Sequence, residues 1–190
     1  MNATKDNRPV GQQSVLSLMI IAVVMLMLAP VAPIFAPLRA APVPADVILV
    51  LGPATDSRLD LAERLLNEGL SERLIVSAAH YGSGHTIPNI ELCARPGDRR
   101  ITCKQAVPFT TQGEVGMLEQ QAGKNGWTSA IIITDTPHVT RARLYAERCF
   151  TGTTTVISDE ARLDVIEAVD EYWYQTGAFA KAFLVTPGCA

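Results

Sequence analysis

Residues 46–53 read DVILVLGP, one charge, five apolar residues in a row, then a Gly-Pro stop. A short continuous apolar run closed by turn residues reads as a strand buried on both faces of a parallel sheet. On its C-terminal side, Ser57 to Glu68 sets Leu59, Ala62, Leu65 and Leu66 on one helical face and closes at Asn67-Glu68-Gly69. Arg73–Ser77, Ala130–Thr134 and Thr153–Ser158 repeat the strand pattern. Helical patterns fall between them over Gln112–Lys124 and Pro137–Phe150, the latter turning Val139, Ala142, Ala146 and Phe150 inward. A last helical stretch covers Glu160–Phe183, in two pieces broken near Gly177. Strands alternating with helices predict an α/β domain of Rossmann-like, three-layer form with a mainly parallel sheet. Ala78 to Pro108 is a 31-residue polar stretch with a short strand expected at Ile87–Leu92. Loops of that length are functional or need a staple.

On the N-terminal side the pattern changes. Arg39 to Pro44 (RAAPVP) reads as an extended linker, and from Pro9 to Leu38 there is no charged residue and no histidine. The run VLSLMIIAVVMLML over Val15–Leu28 is too short by itself for a hydrocarbon core of about 30 Å, so the helix is expected to continue through Pro30 and Pro33 with a bend. This predicts one N-terminal transmembrane helix over residues 14–38, a tail at 1–13, the linker at 39–44 and the domain at 45–190. A cleavable signal would have a shorter apolar core and a small-residue cleavage site, and no A-x-A follows this one. Lys5 and Arg8 against Arg39 favour the tail in the cytoplasm and the domain outside the cell membrane.

Much of the high apolar fraction, 48%, belongs to this anchor. Beyond Leu38 the chain carries 14 basic and 18 acidic residues, with no basic run and no interleaved aromatics. Nucleic acid is excluded as a partner on that balance. The four cysteines, Cys93, Cys103, Cys149 and Cys189, all follow the anchor. Cys93 and Cys103 share one polar loop and are expected to pair, which leaves Cys149 with Cys189. Closing the 11-residue loop is worth roughly 3 kcal/mol in the chain-entropy model. Disulfides imply an oxidising compartment. No C-x-x-C or H-x-x-x-H spacing supports a metal site, and no cofactor is expected.

Ligands in open α/β sheets bind beyond the carboxyl ends of the strands. Those positions hold Asp56 and Arg58 after the first strand, Ser77, His80 and His85 after the second, and Asp135, Thr136, His138 and Arg141 after the next. Thr110, Thr111 and Glu114 lead into the middle helix. Each has an ordinary structural use. Thr111-x-x-Glu114 matches a capping box, and Thr136-Pro137 matches a helix start. Arg141 suits an ion pair with Glu114 or Asp56, and Trp127, Tyr172 and Trp173 suit packing. No G-x-S-x-G is present, which disfavours a serine hydrolase.

Leu51-Gly52, Arg58, Thr111-x-x-Glu114 and Thr134-x-x-x-His138-x-x-Arg141-Ala142 resemble the DUF218 (YdcF-like) family over residues 45–158. The anchored arrangement is similar to its membrane-bound bacterial SanA/ElyC-like envelope type. The resemblance implies an extracytoplasmic domain acting on or binding an anionic envelope metabolite, a phosphorylated lipid carrier or a peptidoglycan precursor. In an enzyme, His138 is expected as the general acid/base with Glu114 orienting it or serving as a second base, and Gly52, Asp56, Arg58, Thr111 and Arg141 are expected around the ligand. A non-catalytic ligand-binding or scaffold module is the alternative. S-adenosylmethionine, linked to a cytoplasmic member, does not fit an outer domain. Where the family commonly has paired glycines, this chain has Gly52-Pro53 and Ala78-Ala79. Pro53 removes an N–H and the alanines add Cβ atoms, which weakens any phosphate cradle at those turns.

Overall fold

The computed structural model describes residues 10–78, 90–94 and 98–189. His80, His85, Ala79 and the first half of the strand expected at Ile87–Leu92 lie outside them. The chain order is α1 (Val10–Leu28), α2 (Val31–Phe35), β1 (Val47–Val50), α3 (Asp56–Asn67), β2 (Leu74–Ser77), α4 (Glu91–Ala94), β3 (Ile101–Lys104), α5 (Thr111–Asn125), β4 (Ser129–Thr134), α6 (Val139–Cys149), β5 (Thr153–Ser158) and α7 (Val165–Leu184). A single 3-10 turn, Thr136–His138, leads into α6.

The five strands form one parallel sheet in the order β3-β2-β1-β4-β5. All four residues of β1 are buried, as the apolar run predicts. Alternate side chains feed two cores. Val47, Leu49, Ile75 and Ile132 pack under α5 and α6, while Ile48, Val50, Val76 and Ile131 pack under α3. The result is a three-layer, Rossmann-like α/β domain. At the amino end of the sheet the Asp46 carboxylate accepts the Thr128 and Ser129 N–H groups at 2.7 and 2.9 Å, which pins the start of β4 to β1.

Three features differ from the sequence reading. The edge strand is Ile101–Lys104, whereas Glu91–Ala94, where the short strand was expected, is a helical turn. An edge strand of four residues is too short for periodicity to reveal. The last helix is one piece running through Gly177, and it starts at Val165. Its start is set by a capping box. Asp164 accepts from the Glu167 N–H at 2.8 Å, and the Glu167 carboxylate accepts from the Asp164 N–H at 2.8 Å. Third, Thr111 does not cap α5. Thr110 does, accepting from the Gly113 N–H at 3.2 Å. Gly113 itself is required there, because a Cβ would overlap the Pro108 carbonyl oxygen.

Cys93–Cys103 and Cys149–Cys189 are joined, with Cα separations of 5.8 and 5.2 Å. The first ties the α4 turn to the edge strand. The second ties the end of α6 to the C-terminal tail.

Gln13–Phe35 is the one segment among the described residues long and apolar enough to cross a membrane. The chain breaks at Ala29-Pro30, where the bend was expected. Its 19-residue α1 rises about 28 Å, and its apolar side chains from Val15 to Leu28 are exposed. The short α2 lies on the domain instead. Ile34 is fully buried, and Thr140 Oγ1 donates to the Pro33 carbonyl at 2.6 Å.

Candidate functional site

The order β3-β2-β1-β4-β5 reverses direction between β1 and β4, and the crevice at that switch point is where open sheets collect ligands. Five polar residues from four chain segments meet there, all buried: Arg58, Thr111, Glu114, His138 and Arg141. Gly52, just past β1, donates its N–H to Glu114 Oε1 at 2.7 Å. Glu114 therefore reaches across to the β1 turn and does not fold back on its own helix start. Burial raises the Glu114 pKa above the ordinary carboxyl value, opposed by the Ser77 hydroxyl, the Gly52 N–H and the charges of Arg141 and Arg58. Among the described residues the buried Ser77 hydroxyl has no partner in hydrogen-bond geometry, but it lies close enough to the Glu114 carboxyl to act on it.

His138 has both ring nitrogens engaged. Thr134 Oγ1 lies 3.3 Å from Asp135 Oδ1 and 2.9 Å from His138 Nδ1; we assign its proton to the charged carboxylate, which makes the ring nitrogen the donor in the second contact. Nε2 is then the acceptor, and Thr111 Oγ1 donates to it at 3.0 Å. Thr111 can do so because Arg141 Nη1 fills a lone pair of the same oxygen at 3.0 Å. The network assigns the neutral, Nδ1-protonated imidazole. Burial first, and then the charges of Arg141 and Arg58, hold the His138 pKa well below its usual value.

The sign of the resulting pH dependence follows. Well above pH 6.5, the ordinary histidine value, the ring is neutral in both folded and unfolded chains. Below it, the unfolded chain takes up a proton that the folded one refuses, so stability falls with pH, by up to about 1.4 kcal/mol per unit. Glu114 works in the opposite sense, since a raised folded value favours proton uptake on folding. Subtracting the denaturation curves of a His138→Gln chain from those of the parent isolates the histidine. A difference that grows as pH drops from 7 to 5 is expected, and parallel curves would remove the buried neutral ring from the description.

Arg58 and Arg141 differ in their surroundings. Arg58 Nη2 lies 3.1 Å from Asp135 Oδ2, and its Nε lies 3.6 Å from Asp159 Oδ2. Its Nη1 donates to the Pro53 carbonyl at 2.7 Å. The charge is thus matched inside the protein, and the side chain clamps the ends of β1, β4 and β5. Asp56 stands exposed in the first turn of α3. Arg141 makes no ion pair among the described residues. Neither Glu114 nor Asp56 pairs with it. Its Nε donates to Gln175 Oε1 at 2.9 Å, Gln175 Nε2 donates to Glu171 Oε2 at 3.0 Å, and its guanidinium lies 5.6 Å from the Tyr174 ring centroid.

Arg141 and Thr111 form one wall of a cleft of about 660 Å³ between the start of α5, α6 and α7. Trp173, Tyr174, Gly177 and Lys181 form the facing wall. A larger hollow of about 930 Å³ lies between the linker and α3, where charges of both signs include the Arg39–Glu160 pair at 2.7 Å. That hollow does not reach Glu114 or His138.

The sequence reading did not single out Gln175, Tyr174 or Lys181, and it quoted Thr134 only within the resemblance motif, without a role. Gln175 had one faint signal, standing between Ala168 and Ala182 at heptad spacing on the inward stripe of α7. Trp173, expected to pack, is 59% exposed. Compared with protein-family models, curated proteins and solved structures, the chain matches none.

Proposed function

We propose that this chain is a membrane-anchored, extracytoplasmic domain of the DUF218 (YdcF-like) kind. Its cleft takes an anionic cell-envelope ligand, a phosphorylated lipid carrier or a peptidoglycan precursor. The observation that carries the reading is Arg141, a buried cation without a carboxylate partner on the wall of an open cleft. A charge taken out of water needs a counterion, and a guanidinium matches phosphate or carboxylate in two-point contact. Lys181 adds positive charge to the same cleft, and among the described residues no Asp or Glu lines it. The outward topology rests on Lys5 and Arg8 at the far flank of α1 and on two disulfides, which suit an oxidising compartment.

For chemistry, Thr111 is the group placed between cleft and base. Its hydroxyl donates to His138 Nε2, so as Thr111 Oγ1 bonds to the terminal phosphorus of a diphosphate its proton passes to the ring. The bridging P–O bond breaks to release the prenyl phosphate, and water then cleaves the Thr111 phosphoester to free inorganic phosphate, with Arg141 holding the negative charge. His138 thus reaches a ligand through Thr111, and Glu114 orients the β1 turn from behind. A binding role without turnover is favoured by one specific observation. Both imidazole nitrogens and one Glu114 oxygen are already bonded within the protein.

A single experiment separates the two. The full chain in lipid nanodiscs is titrated with a short-chain prenyl diphosphate while inorganic phosphate release is followed. Saturable binding with release that Thr111→Val and His138→Ala each abolish supports the enzyme. Binding alone supports the module. No binding would overturn the anion reading.

A further inference from the structure

We infer that α7 lies flat in the outer surface of the same bilayer that α1 crosses, as an interfacial helix. Projected at 100° per residue, Val165, Ile166, Val169, Trp173, Phe183 and Leu184 fall within an arc of about 100° that contains no charged residue. The arc runs the length of the helix and faces solvent: Ile166 is 74% exposed and Leu184 82%. Gln175 and Ala182, on another face, are the residues that bury against the domain. Glu167, Asp170 and Lys181 lie beyond one edge of the arc, between it and the face that carries Gln175 and Ala182. The stripe is thus an apolar face that the core does not use, on a helix too charged to span.

Its place relative to α1 identifies what covers it. Tyr172 Oη donates to the Met27 carbonyl at 2.6 Å. Met27 is in the last turn of α1, where carbonyls lack helical partners and where Pro30 offers no N–H. The middle of α7 is therefore fixed at the level where the span leaves the hydrocarbon. The two helices meet at that turn and do not pack along their lengths, which leaves the apolar stripe of α7 uncovered by α1. Consecutive Tyr172, Trp173 and Tyr174 stand at this level, where amphipathic rings are enriched in membrane proteins. An uncharged stripe beside a membrane exit, flanked by charges along one edge, fits the headgroup–acyl boundary. The docking stands whether or not the cleft takes an anion. Because Trp173, Tyr174 and Lys181 also line that cleft, docking sets its mouth among lipid headgroups.

Trp127 and Trp173 are the two tryptophans, so Trp127→Phe leaves Trp173 as a lone reporter in the full chain. In vesicles containing phosphatidylcholine brominated high on its acyl chains, about half of the Trp173 emission should be lost, with little quenching by aqueous acrylamide. If Trp127→Phe does not fold, the difference between the parent and Trp173→Phe chains gives the same signal. Adding Ile166→Asp and Val169→Asp should restore acrylamide access about threefold with unchanged far-ultraviolet circular dichroism. Acrylamide quenching at the free-indole rate, with none from bromolipid, would overturn the inference. Shielding from both quenchers would also overturn it and would assign the stripe to a second protein chain.

Discussion

Replacing Arg58 with methionine is expected to lower the unfolding free energy of the full chain by about 3–5 kcal/mol. The guanidinium lies between the Asp135 and Asp159 carboxylates and accounts for the Pro53 carbonyl as well. The Asp159 side chain is 2% exposed, so its charge has little water to turn to when the cation is gone. Methionine supplies comparable volume, so the loss reads out charge and hydrogen bonding rather than a cavity. Denaturant unfolding of the detergent-solubilised chain measures it. A Asp159→Asn change in the Arg58→Met background should recover part of the loss, since it removes the stranded charge. A loss below about 1 kcal/mol would mean that the clamp behaves as a solvated surface pair.

Arg141→Met should have a different outcome. Stability should change by less than for Arg58, because no carboxylate is left unpaired, and the costs are one bond to Thr111 and one to Gln175. Affinity for a prenyl phosphate should fall about 10- to 100-fold, the worth of losing a hydrogen bond to a charged group. Calorimetric titration measures one quantity and denaturation the other. Unchanged affinity would remove Arg141 from the ligand site and with it the central support for an anionic ligand. Two buried arginines close in the chain thus carry opposite predictions, one for folding and one for binding.

Much of the fold was legible because its signals are local. The runs at Val47–Val50 and Ser129–Thr134 are apolar enough to be central strands, and the inward faces of α3 and α6 follow from spacing alone. Both disulfides follow from which cysteines share a loop. The edge strand Ile101–Lys104 was not legible, since half-exposed strands of that length show no period. The start of α7 was, in principle, through Asp164 and Glu167. The residues gathered at the switch point were named from the sequence, but their roles within it were not. Thr111-x-x-Glu114 satisfies the spacing of a capping box, and the bonds go elsewhere because Thr110 takes the cap and Gly52 offers Glu114 a closer N–H.

The sequence by itself determined an apolar span, an alternating α/β domain, its cysteine pairs and the set of polar residues at the strand ends. These depend on composition and periodicity, which neighbouring residues carry between them. Only the tertiary structure decided that Arg58 is neutralised and Arg141 is not, which hydroxyl meets His138, and that one face of α7 is left without a protein partner. Those outcomes depend on residues brought together from distant segments: Arg58 with Asp159, Thr111 with His138, and Tyr172 with the last turn of α1. A charge has no fixed use until its neighbours are set, and chain folding sets them.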